Sequence, residues 1–537
     1  MSQPPGTYLI EDLYRDAKVI LQPRPSSDPN DPLNWPRWRK QVNFALVSLY
    51  VLLVYAMIDV VTVTWSSMNL DLGFSYEILN DSYAAGCGAL CVGGVLFLPF
   101  ALKYGRRPVY ILSLLIQAGV SIWSAKQQNV ADLVLVNTLC CLVGALAEVM
   151  AQMTVVDIFF VHQRGRMNSF YVWTLTIGSS LAPLAAGYVT GSQGWRWVWW
   201  WMAILLGGCA LVFFFCYEET KYEGHMILGI PQTSHAREQA DPVAETEDAK
   251  PDPSCVVDVE PPTDHELEDP ASEVRIDPTI PKKSYRSRRA LWTSSPTSLR
   301  SLFRHSYQPF LILVNIPAVS YMAILNGATT SAALIPITVY STYMTLPPYN
   351  FSPEQIGLLG IPAFVGTMLA ALICGPLSDW MILRLAKRNH GIYEPEMRLW
   401  LILAFTPFVA AGLLMFGIGL NNGLPWPFVC VGLGLAAFGA TPANGLSLTY
   451  LTDAYGEIIC DSLIAVVFVK NLFPTILVFA LTPWIEGVGL SNVFITVAVI
   501  VAAILLGNFI FIMFGKRFRI RCAAKYRSYA GHALKGE

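Results

Sequence analysis

Glu148 and Lys470 stand well inside the long apolar runs 131–157 and 458–484, whose only other charged residues, Asp132, Asp157 and Asp461, lie within four residues of a run end. Gln152 follows Glu148 by four positions, so in a helix the two share a face, and Asn471 adjoins Lys470. An isolated charge in an apolar medium is costly, so an ionised side chain there faces a partner or a cavity. A carboxyl that takes up and releases a proton in such a place suits a proton carrier, and an ammonium at similar depth suits a charged ligand. Glu148 and Lys470 are therefore expected close enough to couple, binding substrate or a proton; the plainer alternative is a structural pair between two helices. Asp59, near the end of the run 41–64, reads equally as a gate or as a solvated helix end. Weaker candidates are Asn315, Tyr321 and Asn326 in 307–330, Asn444 in 425–450, and Tyr171 and Trp173 in 167–190, where aromatic rings suit an aromatic substrate. Each of these also reads as ordinary packing.

Other chemistries find no support. The seven histidines fall outside the apolar cores without metal-ligand spacing, and the 11 cysteines lie in apolar runs or in segments assigned to the cytosol, so neither a metal nor a disulfide framework is expected. Gly432, Leu433 and Gly434 lie inside an apolar run with no strand before them, and no G-x-x-x-x-G-K-[ST] occurs; this excludes ATP-driven pumping. With no nucleophile–base constellation either, the chain is not expected to be an enzyme and needs no cofactor.

The elements that position these residues follow from composition. Of 537 residues 54% are hydrophobic and only 14% charged, with a mean hydropathy of +0.46, far from the quarter charged of a soluble domain. Seventeen of the 38 Asp+Glu and 11 of the 36 Lys+Arg sit in residues 218–305 alone. A net charge of −2 with no basic face excludes a nucleic-acid binder. About 20 apolar residues cross a bilayer, which predicts spans at 41–64, 81–102, 108–125, 131–157, 167–190, 196–217, 307–330, 354–377, 397–419, 425–450, 458–484 and 490–515. The fold class is an all-α membrane protein of twelve transmembrane helices in two six-helix halves, 41–217 and 306–515. A tail (1–40) precedes them, a Pro/Asp/Glu-rich loop expected to be disordered (218–305) divides them, and a basic tail (516–537) follows. With the N-terminus in the cytosol, every Lys and Arg but Lys126, Arg196 and Lys470 falls on the cytosolic side, as the positive-inside rule requires. The two Asn-x-Ser/Thr sequons, at Asn80 and Asn350, then fall outside and become glycosylation candidates.

An internal repeat carries a family resemblance. Between spans two and three stand Gly105, Arg106, Arg107 and Pro108; between spans eight and nine stand Gly375, Pro376, Leu377, Ser378 and Asp379, with Arg384 following. Together they resemble two degenerate copies of the major facilitator superfamily loop G-x-x-x-D-R-x-G-R-R. The first copy has Leu98 and Leu102 where Gly and Asp would stand. In span five, Gly178, Ala182, Pro183, Ala186 and Gly187 look like the antiporter signature G-x-x-x-G-P-x-x-G-G, the alternative being plain packing of small residues and a Pro kink. Asp31 to Pro36, Asp157 with Arg164 and Gly165, Glu394 to Leu399, and Lys470, Asn471 and Pro474 are similar in order to the fungal drug:proton antiporter branch, over residues 31–515. Cys140 stands where that branch places an Arg, so a proton-relay arginine is not carried over. The resemblance implies a monomeric carrier in the plasma membrane that exports a drug, toxin or secondary metabolite by alternating access and proton antiport. It implies a latch at Gly105, Arg106, Arg107, Gly375, Asp379 and Arg384; Asp157 with Arg164 or Arg166 reads as a further latch or a helix cap. Rival expectations are proton-coupled uptake of a small nutrient cation such as a polyamine, and a nutrient sensor signalling through 218–305.

Overall fold

The computed structural model describes residues 8–9, 28–221, 299–389 and 392–534. The expected disordered loop lies outside the described residues from 222 to 298. Among the described residues twelve helices are long and apolar enough to cross a membrane. In the first half these are α1 (Arg37–Asp59), continued through a 3-10 turn at Val60–Thr64 into α2 (Trp65–Leu72), then α3 (Tyr76–Tyr104), α4 (Arg106–Lys126), α5 (Val130–Ile158), α6 (Val161–Gln193) and α7 (Trp195–Cys216). The helix α8 (Leu299–Asn315) opens the second half. Its spans are α9 (Pro317–Tyr343), α10 (Pro353–Leu358) running on into α11 (Gly360–Arg388), α12 (Leu399–Asn421), α13 (Trp426–Ala454), α14 (Ile459–Val488), and α15 (Leu490–Leu506) running on into α16 (Asn508–Leu534). The start of α1 and the end of α16 lie on one face of the bundle, the terminal face, because twelve crossings return the chain to its starting side. A two-residue strand β1 (Tyr8–Leu9) pairs antiparallel with β2 (Ile392–Tyr393).

Span seven corrects the sequence reading. It runs over 317–343, not 307–330. Ile316 is extended (φ −115°, ψ 99°), the conformation a following pyrrolidine ring favours, and Pro317 then starts a fresh helix at the position where its missing N–H costs nothing. A sum of hydropathies carries no trace of that break. The expected start of the tail at 516 also has no counterpart in the backbone, where α16 continues unbroken from Asn508 to Leu534.

Each half has its own hydrophobic core, and the same pairings build both. In the first half α3 packs on α5, α4 on α7, and α1 on α6; in the second, α11 on α13, α12 on α15, and α9 on α14. Small residues permit the closest of these approaches. A Cβ on Gly93 of α3 would stand 2.1 Å from the Leu142 carbonyl oxygen of α5, and one on Gly366 of α11 would stand 2.1 Å from that of Gly434 on α13. The halves meet along two equivalent seams, α3 with α14 and α6 with α10 and α11.

Candidate functional site

The α3–α14 seam and the helix α5 beside it bring the two intramembrane charges together. Glu148 lies ten residues from the end of α5 at Ile158, and Lys470 eleven residues from the start of α14 at Ile459, so both are roughly 15–17 Å from the terminal face at 1.5 Å per residue. Lys470 Nζ donates to Glu148 Oε1, an ion pair that crosses from one half to the other. Asn471 Nδ2 donates to Oε2 at 3.3 Å. The Glu148 side chain is 6% exposed, whereas that of Lys470 is 24% exposed. Tyr55 of α1 and Tyr171 of α6 lie within electrostatic reach of the carboxylate, and Gln152 is half-buried one turn nearer the terminal face.

Asp59 ends α1 and is only 8% exposed, which removes the reading as a solvated helix end. Ser179 of α6 and Tyr83 of α3 lie against its carboxyl, and its charge also reaches Tyr55 and, across the halves, Tyr340 of α9. The region thus holds two carboxyls, Glu148 and Asp59, and the single cation Lys470, with Tyr55, Tyr83 and Tyr171 among them.

The secondary candidates part company. Asn326 donates to Ser447 Oγ at 2.8 Å, and Thr329 donates to Asn444 Oδ1 at 2.5 Å, so Asn326 and Asn444 tie α9 to α13. Asn315 is displaced from span seven by the break at Ile316. It ends α8, donating to the Tyr529 hydroxyl at 2.8 Å and accepting from Lys525 at 2.8 Å, both on α16. Tyr321 donates to the Ile504 carbonyl at 2.5 Å and stacks on Phe511, inside the second half. Tyr171 is buried, but Trp173, about 200° further round the helix, is 47% exposed on the outside of α6.

At the terminal face Arg106 pairs with Asp157, which was expected to answer to Arg164 or Arg166, and Glu218, Glu219 and Thr220, absent from the sequence expectations, join the cluster. Gly105 takes φ +99°, the positive-φ region that favours glycine, and turns α3 sharply into α4. Glu219, three residues beyond α7, accepts from the backbone N–H of Arg106 and Arg107 at 2.9 and 3.0 Å, capping α4. Arg106 Nε donates to Asp157 at 3.0 Å, and Thr220 donates to the same carboxylate oxygen at 3.4 Å. Arg107 donates to the Phe214 carbonyl. Glu218 pairs with Arg39 at the start of α1. The Arg164 and Arg166 side chains lie outside the described residues.

The second copy departs from expectation. Asp379 and Arg384 are both exposed and form no ion pair among the described residues; Arg384 lies over the Trp380 ring, 5.1 Å from its centroid. A Cβ on Gly375 would meet nothing within 4 Å. The charge pair that matches Arg106–Asp157 is instead Arg398–Asp453, at 2.7 Å. Tyr393 joins it, donating to Asp453 at 2.5 Å and accepting from Arg398 at 3.0 Å. Burial, and then Asp453, push the Tyr393 phenol above its ordinary range, which keeps that proton in place. Nearby, Glu396 takes a two-pronged pair from Arg519, both bonds 2.8 Å, and Glu394 pairs with Lys516 at 2.6 Å. The string from Glu394 to Leu399 had carried only resemblance; its three charges turn out to be structural ties to α13 and α16.

The small residues of span five lie on a seam. A Cβ on Gly178 would come 2.5 Å from the Leu52 carbonyl oxygen of α1, and one on Gly187 2.7 Å from that of Pro353 in α10. The Pro183 carbonyl oxygen in turn would meet a Cβ on Gly357 at 2.6 Å. Of the sequons, Asn350 is exposed in the loop after α9, but Asn80 is buried, donating to the Val478 carbonyl at 2.9 Å. Its amide faces the other half, so in the folded protein no glycan fits there.

Comparison with known proteins accords with this architecture. The family model described as Major Facilitator Superfamily matches residues 47–458. An uncharacterized MFS-type transporter of Schizosaccharomyces pombe is 32% identical over 98% of this chain and 94% of its own length. Protein HOL1 of Saccharomyces cerevisiae is 29% identical over 94% of this chain and 90% of its own length. The efflux pump radE of Floropilus chiversii is 24% identical over 89% and 80%. Among solved structures, the xylose transporter XylE of E. coli in a partially occluded inward-open conformation superposes with a TM-score of 0.56 at 13% identity, covering 88% of this chain and 98% of that one; this likeness concerns the fold.

Proposed function

The chain belongs to the major facilitator superfamily, and from that premise we propose that this multi-pass transporter exports a small organic compound by alternating access, exchanging it for protons, at the plasma membrane with both termini in the cytosol. The single observation that carries the reading is the ion pair between Glu148 and Lys470, one partner from each half, at matched depth within the spans. A group that titrates or binds substrate there is coupled directly to how the halves meet. The likeness to radE supports the outward direction. A second reading, proton-coupled uptake of a small organic cation, gains support from the two carboxyls, Glu148 and Asp59, set against the single cation Lys470, and from the tyrosines near them.

The test begins with metabolite comparison, inside against outside, of cells with and without the protein, to choose a labelled compound. In proteoliposomes an antiporter loads that compound when the lumen is acid, and a symporter loads it when the outside is acid. Glu148→Gln is expected to flatten the pH profile of exchange. A profile unchanged in that variant overturns coupling through Glu148, and absence of counterflow in the wild type overturns the transport reading.

A further inference from the structure

We propose that Lys470 is a tethered competitor for the cation that Glu148 binds: in the empty transporter its ammonium holds the place beside the carboxylate, and a positively charged group of the substrate displaces it. The proposal rests on the cation reading above and adds how the site selects and responds.

Three observations carry it. First, the two partners differ in access. The Glu148 side chain is 6% exposed and that of Lys470 24% exposed, so the carboxylate is the more deeply buried partner, and the accessible one carries its ammonium on a flexible four-carbon stem. Second, the other carboxylate oxygen is held by a neutral donor, Asn471 Nδ2, which remains when the ammonium leaves and keeps the carboxylate oriented. Third, the phenols Tyr55 and Tyr171 lie within electrostatic reach of Glu148, and Tyr55 is within reach of a second carboxyl, Asp59; aromatic rings and acidic groups are surroundings that suit a cation better than an anion.

The exchange has a physical consequence. Breaking a buried pair outright leaves a charge without compensation and is strongly unfavourable. Replacing one ammonium by another keeps Glu148 neutralised, whereas a neutral solute offers no such replacement and leaves the pair closed. Because Glu148 and Lys470 belong to different halves, the same exchange releases a direct tie between them. Cation binding thereby frees the halves to rock, and discrimination against neutral solutes needs no further contact.

The experiment reads Glu148 itself. Purified full-length protein in lipid nanodiscs is treated with dicyclohexylcarbodiimide, and the rate of adduct formation at Glu148 is followed by peptide mass spectrometry. The probes are tetraethylammonium and spermidine, with xylose as a neutral control. Lys470→Met is expected to raise the Glu148 labelling rate at least five-fold, while Lys470→Arg, which retains a cation and controls for folding, stays within two-fold of wild type. A protecting cation is expected to act on Lys470→Met at a concentration at least ten-fold lower than on wild type. Equal labelling of Lys470→Met and wild type, or protection at equal concentrations, overturns the competitor role and leaves the cation reading standing. Labelling that rises in Lys470→Met with no protection by either cation in either protein overturns the cation reading and this proposal with it.

Discussion

Asp157 and Asp453 close equivalent helices in the two halves, and each holds the arginine that opens the preceding span. Asp157 ends α5 and binds Arg106 at the start of α4; Asp453 ends α13 and binds Arg398 at the start of α12. The repeat is thus preserved in the placement of charge although the loop sequences around Gly105 and Gly375 have diverged. Each arginine bridges two adjacent helix ends, and the C-terminal dipole of the helix that the aspartate closes favours its positive charge.

Removing these cations is expected to cost stability in order of burial. Arg519, fully buried on Glu396, is the extreme: Arg519→Ala leaves a buried carboxylate unpaired, at about 3–5 kcal/mol. Lys516, 52% exposed on Glu394, is expected to matter by less than about 1 kcal/mol. Arg106→Ala and Arg398→Ala should fall between. Apparent melting temperatures in detergent check the order; a Lys516→Ala loss equal to that of Arg519→Ala would contradict it.

The α6–α10 seam makes a sharper contrast between glycines. Gly357→Ala would drive a Cβ to 2.6 Å from the Pro183 carbonyl oxygen, backbone that cannot yield locally. It is expected to pry the seam apart, lower transport at least ten-fold and open the far face to a membrane-impermeant thiol reagent at an introduced cysteine. Gly375→Ala, with nothing within 4 Å of the new methyl, is expected to keep at least half of wild-type transport despite its place in the loop motif.

What the sequence made legible is what apolar run length and isolated charge encode. Twelve spans follow from hydropathy, and the meeting of Glu148 with Lys470 follows from equal depth in their helices. Span seven was displaced because residues 310–316, apolar but for Asn315, continue the hydropathy across the break at Ile316, where the following Pro317 favours extended backbone. Trp173 and Tyr171 were grouped by type, yet two positions along a helix place them on different faces. Arg398 finds its partner 55 residues away, and no local pattern encodes such a pairing. Glu219 was hidden for another reason: it stands at the opening of an acidic stretch and shares that composition, although an acidic residue just past a span, near the positive end of α4, is where a helix cap belongs.

That cap is open to direct measurement. Glu219→Gln keeps the shape of the side chain but removes the charge that two backbone donors and the helix dipole favour. It is expected to cost about 1 kcal/mol, and Glu219→Ala about 1–2 kcal/mol. Thermal unfolding of the two variants, with Glu223→Gln as a neighbouring acidic control, checks this; equal losses for all three would place the effect in net charge instead of capping.

The two sequons separate burial from sequence pattern. Asn80 is 5% exposed, and its amide nitrogen is engaged by the Val478 carbonyl oxygen and Thr482 of α14, so a glycan there would have to part the α3–α14 seam. Asn350 is exposed in the loop between α9 and α10 at φ +49°, a backbone conformation asparagine tolerates better than most residues. If that face is extracellular, as the charge bias requires, glycan is carried by Asn350 alone. Expressed in a glycosylating host, the wild type and Asn80→Gln are expected to shift in mobility on endoglycosidase treatment, and Asn350→Gln is expected not to. Asn80→Gln carries a second expectation, a loss of about 1 kcal/mol in stability from the severed cross-half hydrogen bond. A glycan at Asn80 would place it outside the seam, and a glycan at neither site would remove this support for the orientation.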